Sequence, residues 1–229
     1  MPDERTGSYF RRSRQLALGG LCAIYITFRF WNLTDSCLWF DEIFGVHAAE
    51  HAWGQLFRFV ALDLIHPPLF YTLIKLWIGL GGDGLLWLRM FPLAFSLLAL
   101  FPFLQLCREL KIGFTATALA LAFFAFNGTL IKYAQEVRMY SVLLFVSLIS
   151  IWLFARFYFK GKNIWVLTIC NLLLVYTHYF GWFVVAAEVI AILVFQRVKI
   201  RHVATMFGIV FALFLPWIWM VWRASRTGA

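Results

Sequence analysis

Long apolar runs, separated by short links that carry basic residues, constrain this chain more than any other feature of its sequence. Of its 229 residues, 63% are hydrophobic and 20% are aromatic. Charged residues make up 14%, against roughly 25% in an average soluble domain. A soluble domain of this size cannot hide so much apolar surface, so the composition predicts that lipid is the solvent for much of the chain.

The apolar runs predict one transmembrane domain over residues 1–229, an all-α polytopic helix bundle with about seven spans. A span needs about 17–25 predominantly apolar residues. The arginines before the first run are typical of a signal peptide, but no small-residue cleavage site follows, so we interpret that run as a first transmembrane helix. The predicted spans cover residues 16–33, 85–106, 114–131, 140–159, 163–180, 181–196 and 203–222.

The basic residues predict the topology and exclude a nucleic-acid-binding function. The net charge of +9 comes from short clusters between apolar runs, as membrane topology requires. The ambiguous segment is residues 66–80, which is short for a span and carries Lys75 in its middle. If this segment does not cross, twelve of the twenty basic residues lie on the cytoplasmic side: Arg5, Arg11, Arg12, Arg14, Arg108, Lys111, Arg156, Lys160, Lys162, Arg197, Lys199 and Arg201. If it crosses, every later basic link turns outward.

Residues 34–84 are therefore predicted to form an extracytoplasmic first loop that contains amphipathic surface helices, while the N-terminus is cytoplasmic. Residues 66–80 place an apolar stripe at helical spacing, opposite Thr72, Lys75 and Gly79. The stripe comprises Leu69, Phe70, Leu73, Ile74, Trp77 and Ile78. The loop also holds six acidic residues: Asp35, Asp41, Glu42, Glu50, Asp63 and Asp83.

Two groups in this loop are candidate site residues. The pair Asp41-Glu42 follows an aromatic run just after the first span, an unusual place for charge that makes it a candidate site. An equally good interpretation is a solvated loop start or the N-terminal cap of an interfacial helix. His66 precedes two prolines at the predicted start of a helix, where it can donate to a phosphate or simply cap a turn.

Two later links carry further candidates. Glu136, Arg138 and Tyr140 lie where the third span joins the fourth. They can be interfacial anchors and part of an aromatic belt. Alternatively, the guanidinium of Arg138 can bind two oxygens of a phosphodiester. His178 lies at the outer end of the fifth span, where an interfacial belt is the plainer interpretation. Glu188 lies inside the sixth span. A carboxylate within a span is by default a candidate functional residue, but the sequence shows no partner for this one.

The four cysteines form no metal-binding or disulfide pattern, and no metal or other cofactor is indicated, although a divalent metal is possible.

Taken together, these motifs resemble the GT-C glycosyltransferases. They are the Asp41-Glu42 pair, the HPPL sequence from His66, the RMFP sequence from Arg89, the QEVRMY sequence from Gln135 and the THYF sequence from Thr177. The chain is most similar to the branch that contains protein-O-mannosyltransferases, the lipid A aminoarabinose transferase and rhizobial lipopolysaccharide glycosyltransferases. The resemblance covers about residues 29 to 182, and the order and spacing of the motifs carry it.

The resemblance implies an inner-membrane enzyme of bacteria that moves a sugar from a polyprenyl-phosphate carrier to a hydroxyl of a lipid, glycan or protein acceptor. Asp41 matches the catalytic carboxylate of the first loop and would be the general base. Glu42 would stabilise the charge that develops on the sugar. Arg138 and His66 would neutralise the leaving phosphate, and Glu136, Tyr140 and His178 would complete the binding site.

Family members continue for several more helices, so the resemblance covers only the donor-facing part and predicts weak or no turnover by the chain alone. Two other functions stay open at this point. A transporter or flippase-like protein would line a path with Glu136, Arg138 and Glu188, near the membrane midplane. An inactive remnant would keep the fold without the chemistry. The clustering of polar residues at one predicted surface favours the transferase.

Overall fold

The computed structural model describes residues 4–161, 163–195 and 200–227, and within these ranges α-helices joined by turns and short loops account for the structure, with no strand. The predicted all-α fold class is therefore confirmed for the described part of the chain. It contains eleven helices: α1 (Glu4–Phe30), α2 (Phe40–Glu50), α3 (Trp53–Asp63), α4 (Leu69–Gly81), α5 (Leu85–Glu109), α6 (Phe114–Phe126), α7 (Gly128–Gln135), α8 (Tyr140–Lys160), α9 (Ile164–Thr177), α10 (Gly181–Phe195) and α11 (Ile200–Thr227).

Three of these helices, α5, α8 and α11, are long and apolar enough to cross a membrane. The pair α6 and α7 meets the same test jointly, but a 54° bend separates the two, so the described residues supply up to four spans. This is consistent with an integral membrane protein and falls short of the seven predicted spans. Helices α9 and α10 have 14 and 15 residues, about 21–23 Å of helix against a hydrocarbon core of about 30 Å. Helix α1 is long enough, but Arg14 and Arg29 dilute its apolar run.

The predicted third span is interrupted at Asn127. The side chain of Asn127 accepts a hydrogen bond from the Leu130 N–H at 3.0 Å and so caps α7. The last carbonyls of α6 are left without helical partners, and Arg29 of α1 binds two of them, donating to Phe124 at 3.0 Å and to Ala125 at 3.5 Å. The fully buried Arg29 therefore satisfies the break and ties α1 to α6.

The main core lies where α8, α9, α10 and α11 pack together and against α5. Leu167, Leu174 and Val210 are fully buried in it. The turn between α9 and α10 is tight, because a Cβ atom on Gly181 would lie 2.6 Å from the Leu174 carbonyl oxygen. A side chain at position 181 would force these two helices apart, so glycine is required there.

The segment between α1 and α5 folds into three helices, α2, α3 and α4. The helix predicted over residues 66–80 is present as α4, with Phe70 and Ile74 of its apolar stripe fully buried. Lys75, which interrupts the apolar segment, donates to the carbonyl oxygens of Ala49 and His51 at 2.7 and 2.8 Å. Its ammonium group thus caps the C-terminal end of α2, where carbonyl groups attract a cation.

Two tryptophans lock α4 to α5. The rings of Trp77 and Trp87 stack with centroids 4.4 Å apart. Each indole N–H donates to the other residue's carbonyl oxygen, at 2.8 and 2.9 Å. A Cβ atom on Gly81 would lie 2.3 Å from the Trp87 ring, so the connection is closely packed and fixes where α5 begins relative to α4.

Candidate functional site

A buried ion pair anchors the start of α2. Arg89 of α5 lies 3.0 Å from Glu42, and the two side chains are 3% and 1% exposed. Arg89 also donates to the carbonyl oxygens of Ser36, at 3.3 Å, and Cys37, at 3.2 Å, and to that of Gln135. A buried charge needs such partners, because removing it from water is costly unless it is paired and hydrogen-bonded.

Glu42 is saturated by protein donors. Besides Arg89, its carboxylate accepts the N–H of Val137 at 2.6 Å and that of Trp39 at 3.0 Å. These bonds join the start of α2 to the link between α7 and α8. The sequence predicted a catalytic role for Glu42; in the structure both of its carboxylate oxygens accept from protein donors and the residue is 0% exposed.

The residue before it, Asp41, has a different environment. Its side chain is 40% exposed, and one carboxylate oxygen lies 3.8 Å from a guanidinium nitrogen of Arg138. Arg138 also donates to the Asp41 carbonyl oxygen at 2.9 Å. The sequence predicted that these two residues, 97 positions apart, approach each other, and this approach is confirmed. Asp41 is thus a reachable carboxylate held beside a buried guanidinium.

Two histidines, His66 and His178, lie near enough to Arg138 to interact with its charge. The rings of His66 and His178 lie 5.2 Å apart at their centroids. His66 Nδ1 is 4.0 Å from a carboxylate oxygen of Asp63, an ion-pair distance that is too long for a hydrogen bond. His66 and His178 are therefore brought to Arg138 as the motifs predicted, and Asp63 joins them.

The site holds the histidines neutral at neutral pH. Burial, with the charges of Arg138 and His178, lowers the pKa of His66 from 6.5 to about 4. Burial and Arg138 also lower the pKa of His178. Burial raises the pKa of Asp63, a shift that Arg138 opposes and Asp41 reinforces. The lasting positive charge of the site is therefore the guanidinium of Arg138, and the imidazoles act as hydrogen-bonding groups.

Several buried polar atoms of this site have no hydrogen-bond partner among the described residues. They are Nδ1 of His66, Nε of Arg138, Nε of Arg89 and the hydroxyl of Tyr71. The Tyr71 hydroxyl lies near enough to Arg138 to interact with its charge, but the contact falls outside hydrogen-bond geometry. Buried polar groups are usually paired, so the unpaired guanidinium nitrogen of Arg138, with the unpaired atoms of His66 and Tyr71 near it, indicates a place suited to a polar ligand.

The remaining predicted residues lie on the link beside Arg138. Glu136 is nearly buried and forms an ion pair with Lys132 at 3.3 Å. Tyr140 stacks on Tyr133, with centroids 4.2 Å apart, and its ring is 6.4 Å from that of His178. Tyr140 therefore belongs to the cluster around Arg138, while the ion pair of Glu136 is with a residue of α7.

The residues predicted to line a transport path belong to separate groups. Glu136 pairs with Lys132, Arg138 pairs with Asp41, and Glu188 bonds to Ser150 and Asn171. No group of three histidine, cysteine or acidic side chains in the described ranges is arranged to hold a metal ion. The geometry instead gathers one accessible carboxylate, one buried guanidinium and two neutral imidazoles.

Sequence reasoning missed Asp63, Tyr71 and the role of Arg89. In the sequence, Arg89 stands out only as part of the RMFP motif. Its position at the start of an apolar helix, directly after an acidic loop, is a signal that could have suggested a buried partner. Tyr71 carried no signal, because an aromatic residue on an apolar helix usually reports packing alone.

Comparison with known proteins adds no assignment. No known protein family matches this chain, and no curated protein matches it.

Proposed function

We propose that this chain is the donor-binding part of a membrane glycosyltransferase, which transfers a sugar from a polyprenyl-phosphate carrier to a hydroxyl acceptor. The observation that carries the proposal is the pairing of the accessible Asp41 carboxylate with the buried Arg138 guanidinium. Sugar transfer from a lipid phosphate needs a general base for the acceptor and a cation for the leaving phosphate. The GT-C-like order of the motifs supports the same assignment.

In the proposed reaction, Asp41 takes the proton of the acceptor hydroxyl. The acceptor oxygen forms a bond to the anomeric carbon of the sugar, while the bond from that carbon to the phosphate oxygen breaks. The lipid phosphate leaves with the bonding electrons, and Arg138 stabilises its charge. His66, neutral and with an unpaired ring nitrogen, donates a hydrogen bond to the same phosphate.

Glu42 and Arg89 keep Asp41 in place in this proposal. The ion pair holds the first turn of α2 against α5 and against the link that carries Arg138. Asp41 is the neighbour of Glu42 on that turn, so the position of its carboxylate depends on the pair. A general base acts efficiently only when its distance and orientation are fixed.

We further propose that this site faces the extracytoplasmic side of a bacterial inner membrane and that the N-terminus is cytoplasmic. The charge pattern supports this orientation, because it leaves twelve of the twenty basic residues inside. The short helix α4 then lies on the outer side without crossing.

Cysteine labelling tests this orientation. In a background without the four native cysteines, we expect Asp83→Cys to react with a membrane-impermeant maleimide from the outer side, and Lys111→Cys to be protected until the membrane is opened. Both positions are exposed. Asp83 is chosen because a side chain at the nearby Gly81 would collide with the ring of Trp87. Labelling of both positions from the same side would contradict the topology.

Donor binding tests the role of Arg138. With a short polyprenyl phosphate as the probe, we expect Arg138→Ala to weaken binding roughly 10- to 100-fold, because a charge-assisted pair to the phosphate is lost. Arg138→Lys should restore part of the affinity, since an ammonium group supplies charge but cannot fork two oxygens. The measurement is the dissociation constant in detergent or nanodiscs.

The matched control is Lys132→Ala. It also removes one positive charge, but from an exposed side chain six positions before Arg138. We expect it to leave the affinity within about twofold, because an exposed charge contributes little. Equal losses in Lys132→Ala and Arg138→Ala would mean general attraction of an anionic lipid rather than a binding site, and the proposed function would lose its central residue.

A further inference from the structure

A closed ring of polar contacts lies among α8, α9 and α10, inside the apolar bundle. Ser150, Asn171 and Glu188 are 0%, 0% and 3% exposed. The Ser150 hydroxyl oxygen is 2.5 Å from the Asn171 amide oxygen and 2.7 Å from a carboxylate oxygen of Glu188. The Asn171 amide nitrogen is 2.7 Å from the second oxygen of Glu188. Each residue therefore contacts the other two.

Hydrogen atoms can be counted around this ring. Each of its three contacts has hydrogen-bond length, so each needs one hydrogen between the two heavy atoms. Ser150 supplies one hydrogen, and Asn171 supplies one, since its second amide hydrogen points toward the Met206 sulfur at 3.7 Å. An ionised Glu188 supplies none. Two hydrogens would then serve three contacts, and one pair of oxygens would face each other at 2.5–2.7 Å without a proton.

The count does not depend on how the Asn171 amide is oriented. With the amide turned over, its nitrogen would donate to Ser150, and Ser150 would donate to Glu188. The amide oxygen would then face the other carboxylate oxygen, and that contact would lack a hydrogen. In both orientations the missing hydrogen has one source, a proton on Glu188.

We propose that Glu188 is a proton-binding site, held as a neutral carboxylic acid that closes a three-membered hydrogen-bond ring across α8, α9 and α10. The proton on one oxygen of Glu188 bonds to Ser150, Ser150 donates to Asn171, and Asn171 donates to the other oxygen of Glu188. Every polar atom of the ring then has a partner, as a site enclosed in an apolar bundle requires. The inference is independent of the proposed transferase activity.

The groups around the ring agree with a proton rather than a metal cation as the occupant. Asn171 presents an amide nitrogen to Glu188 in the observed orientation, and nitrogen donors repel cations. On α9, the thiol of Cys170 donates to the Val146 carbonyl oxygen. On α11, Met206 presents a thioether, and His202, one turn earlier, packs against Phe157. The oxygens already contact one another directly, so the ring is complete without an ion.

Infrared difference spectroscopy at pH 7 tests the proton directly. We expect wild type minus Glu188→Gln to show the carbonyl band of a protonated carboxylic acid, equally in sodium and in choline buffers. The control is Glu109→Gln, whose carboxylate pairs with Lys160 and should give only ionised carboxylate bands. Ser150→Ala should shift the acid band without removing it, since it changes a hydrogen bond of Glu188 and leaves the proton.

Thermal unfolding gives the second measurement. Glutamine at position 188 can donate to Ser150 and accept from Asn171, so all three contacts persist and the unfolding temperature should stay within about 2 °C of wild type. Glu188→Ala removes two of the three contacts and leaves the buried Asn171 amide nitrogen without its carboxylate acceptor, so it should lower the unfolding temperature by at least about 5 °C. The proposal is overturned if Glu188→Gln removes ionised carboxylate bands instead, if the acid band appears only without sodium, or if Gln destabilises as much as Ala.

Discussion

In any form of the protein with measurable transfer, alone or in a complex, Asp41→Asn is expected to slow sugar transfer roughly 10²- to 10⁴-fold, with donor binding almost unchanged. Asparagine keeps the shape of the side chain and removes its capacity to accept a proton. The loss should therefore fall on the chemical step and appear in the maximal rate rather than in the dissociation constant of the donor. The measurement is the initial rate of transfer from polyprenyl-phosphate-linked hexoses and pentoses, beside the donor affinity.

The geometry around Asp41 explains why binding should survive this change. The strongest contact that Arg138 makes to Asp41 goes to the backbone carbonyl at 2.9 Å, and asparagine leaves that contact intact. The contact to the side chain is longer, at 3.8 Å. Arg138 therefore keeps its position when the carboxylate becomes an amide, and the phosphate keeps its cation.

The control for Asp41→Asn is Asp35→Asn, an exposed carboxylate six residues earlier in the same segment. It should leave the rate within about twofold, because it contacts none of the groups around Arg138 and an exposed charge contributes little. If Asp41→Asn keeps a near-normal rate, Asp41 is not the general base. If its donor affinity falls together with its rate, the residue serves in binding instead.

The sequence predicted the approach of Asp41 and Arg138 because the motifs and the charge pattern place both on one membrane face. It did not separate the roles of Asp41 and Glu42, since adjacent carboxylates look alike in a sequence. Only the fold shows that Glu42 points to Arg89 and that Asp41 stays exposed. Burial and partner choice are tertiary properties, and no local pattern encodes them.

The helix breaks within the predicted spans and the partners of Glu188 are also tertiary properties that no local pattern encodes. An apolar run of suitable length predicted one span over residues 114–131, yet Asn127 ends a helix there because Arg29 of α1 satisfies the freed carbonyls. Glu188 seemed isolated because its partners, Ser150 and Asn171, are 38 and 17 positions away in sequence. Composition predicts that such segments are buried in an apolar environment, and packing alone determines which polar groups meet.

The largest expected effect on stability comes from breaking the ion pair of Glu42 and Arg89. We expect Glu42→Ala to lower the free energy of unfolding by about 3–5 kcal/mol, because it leaves the Arg89 guanidinium buried without its counter-charge. The same substitution leaves the N–H groups of Val137 and Trp39 without an acceptor. Unfolding in mixed micelles with increasing denaturing detergent, followed by circular dichroism, measures the change.

A double-mutant cycle separates the ion pair from the rest of this network. Glu42→Leu and Arg89→Met should each destabilise strongly alone, and the double variant should cost less than the sum of these two changes by about 2–3 kcal/mol, since neither charge is then left alone. Recovery should be incomplete, because the backbone groups that these side chains bind still lose their partners. The exposed pair of His47 and Glu50 is the matched control, and Glu50→Ala should cost less than about 1 kcal/mol. Additive losses across the cycle would show that Glu42 and Arg89 act separately, and the positioning of Asp41 by their pair would have to be abandoned.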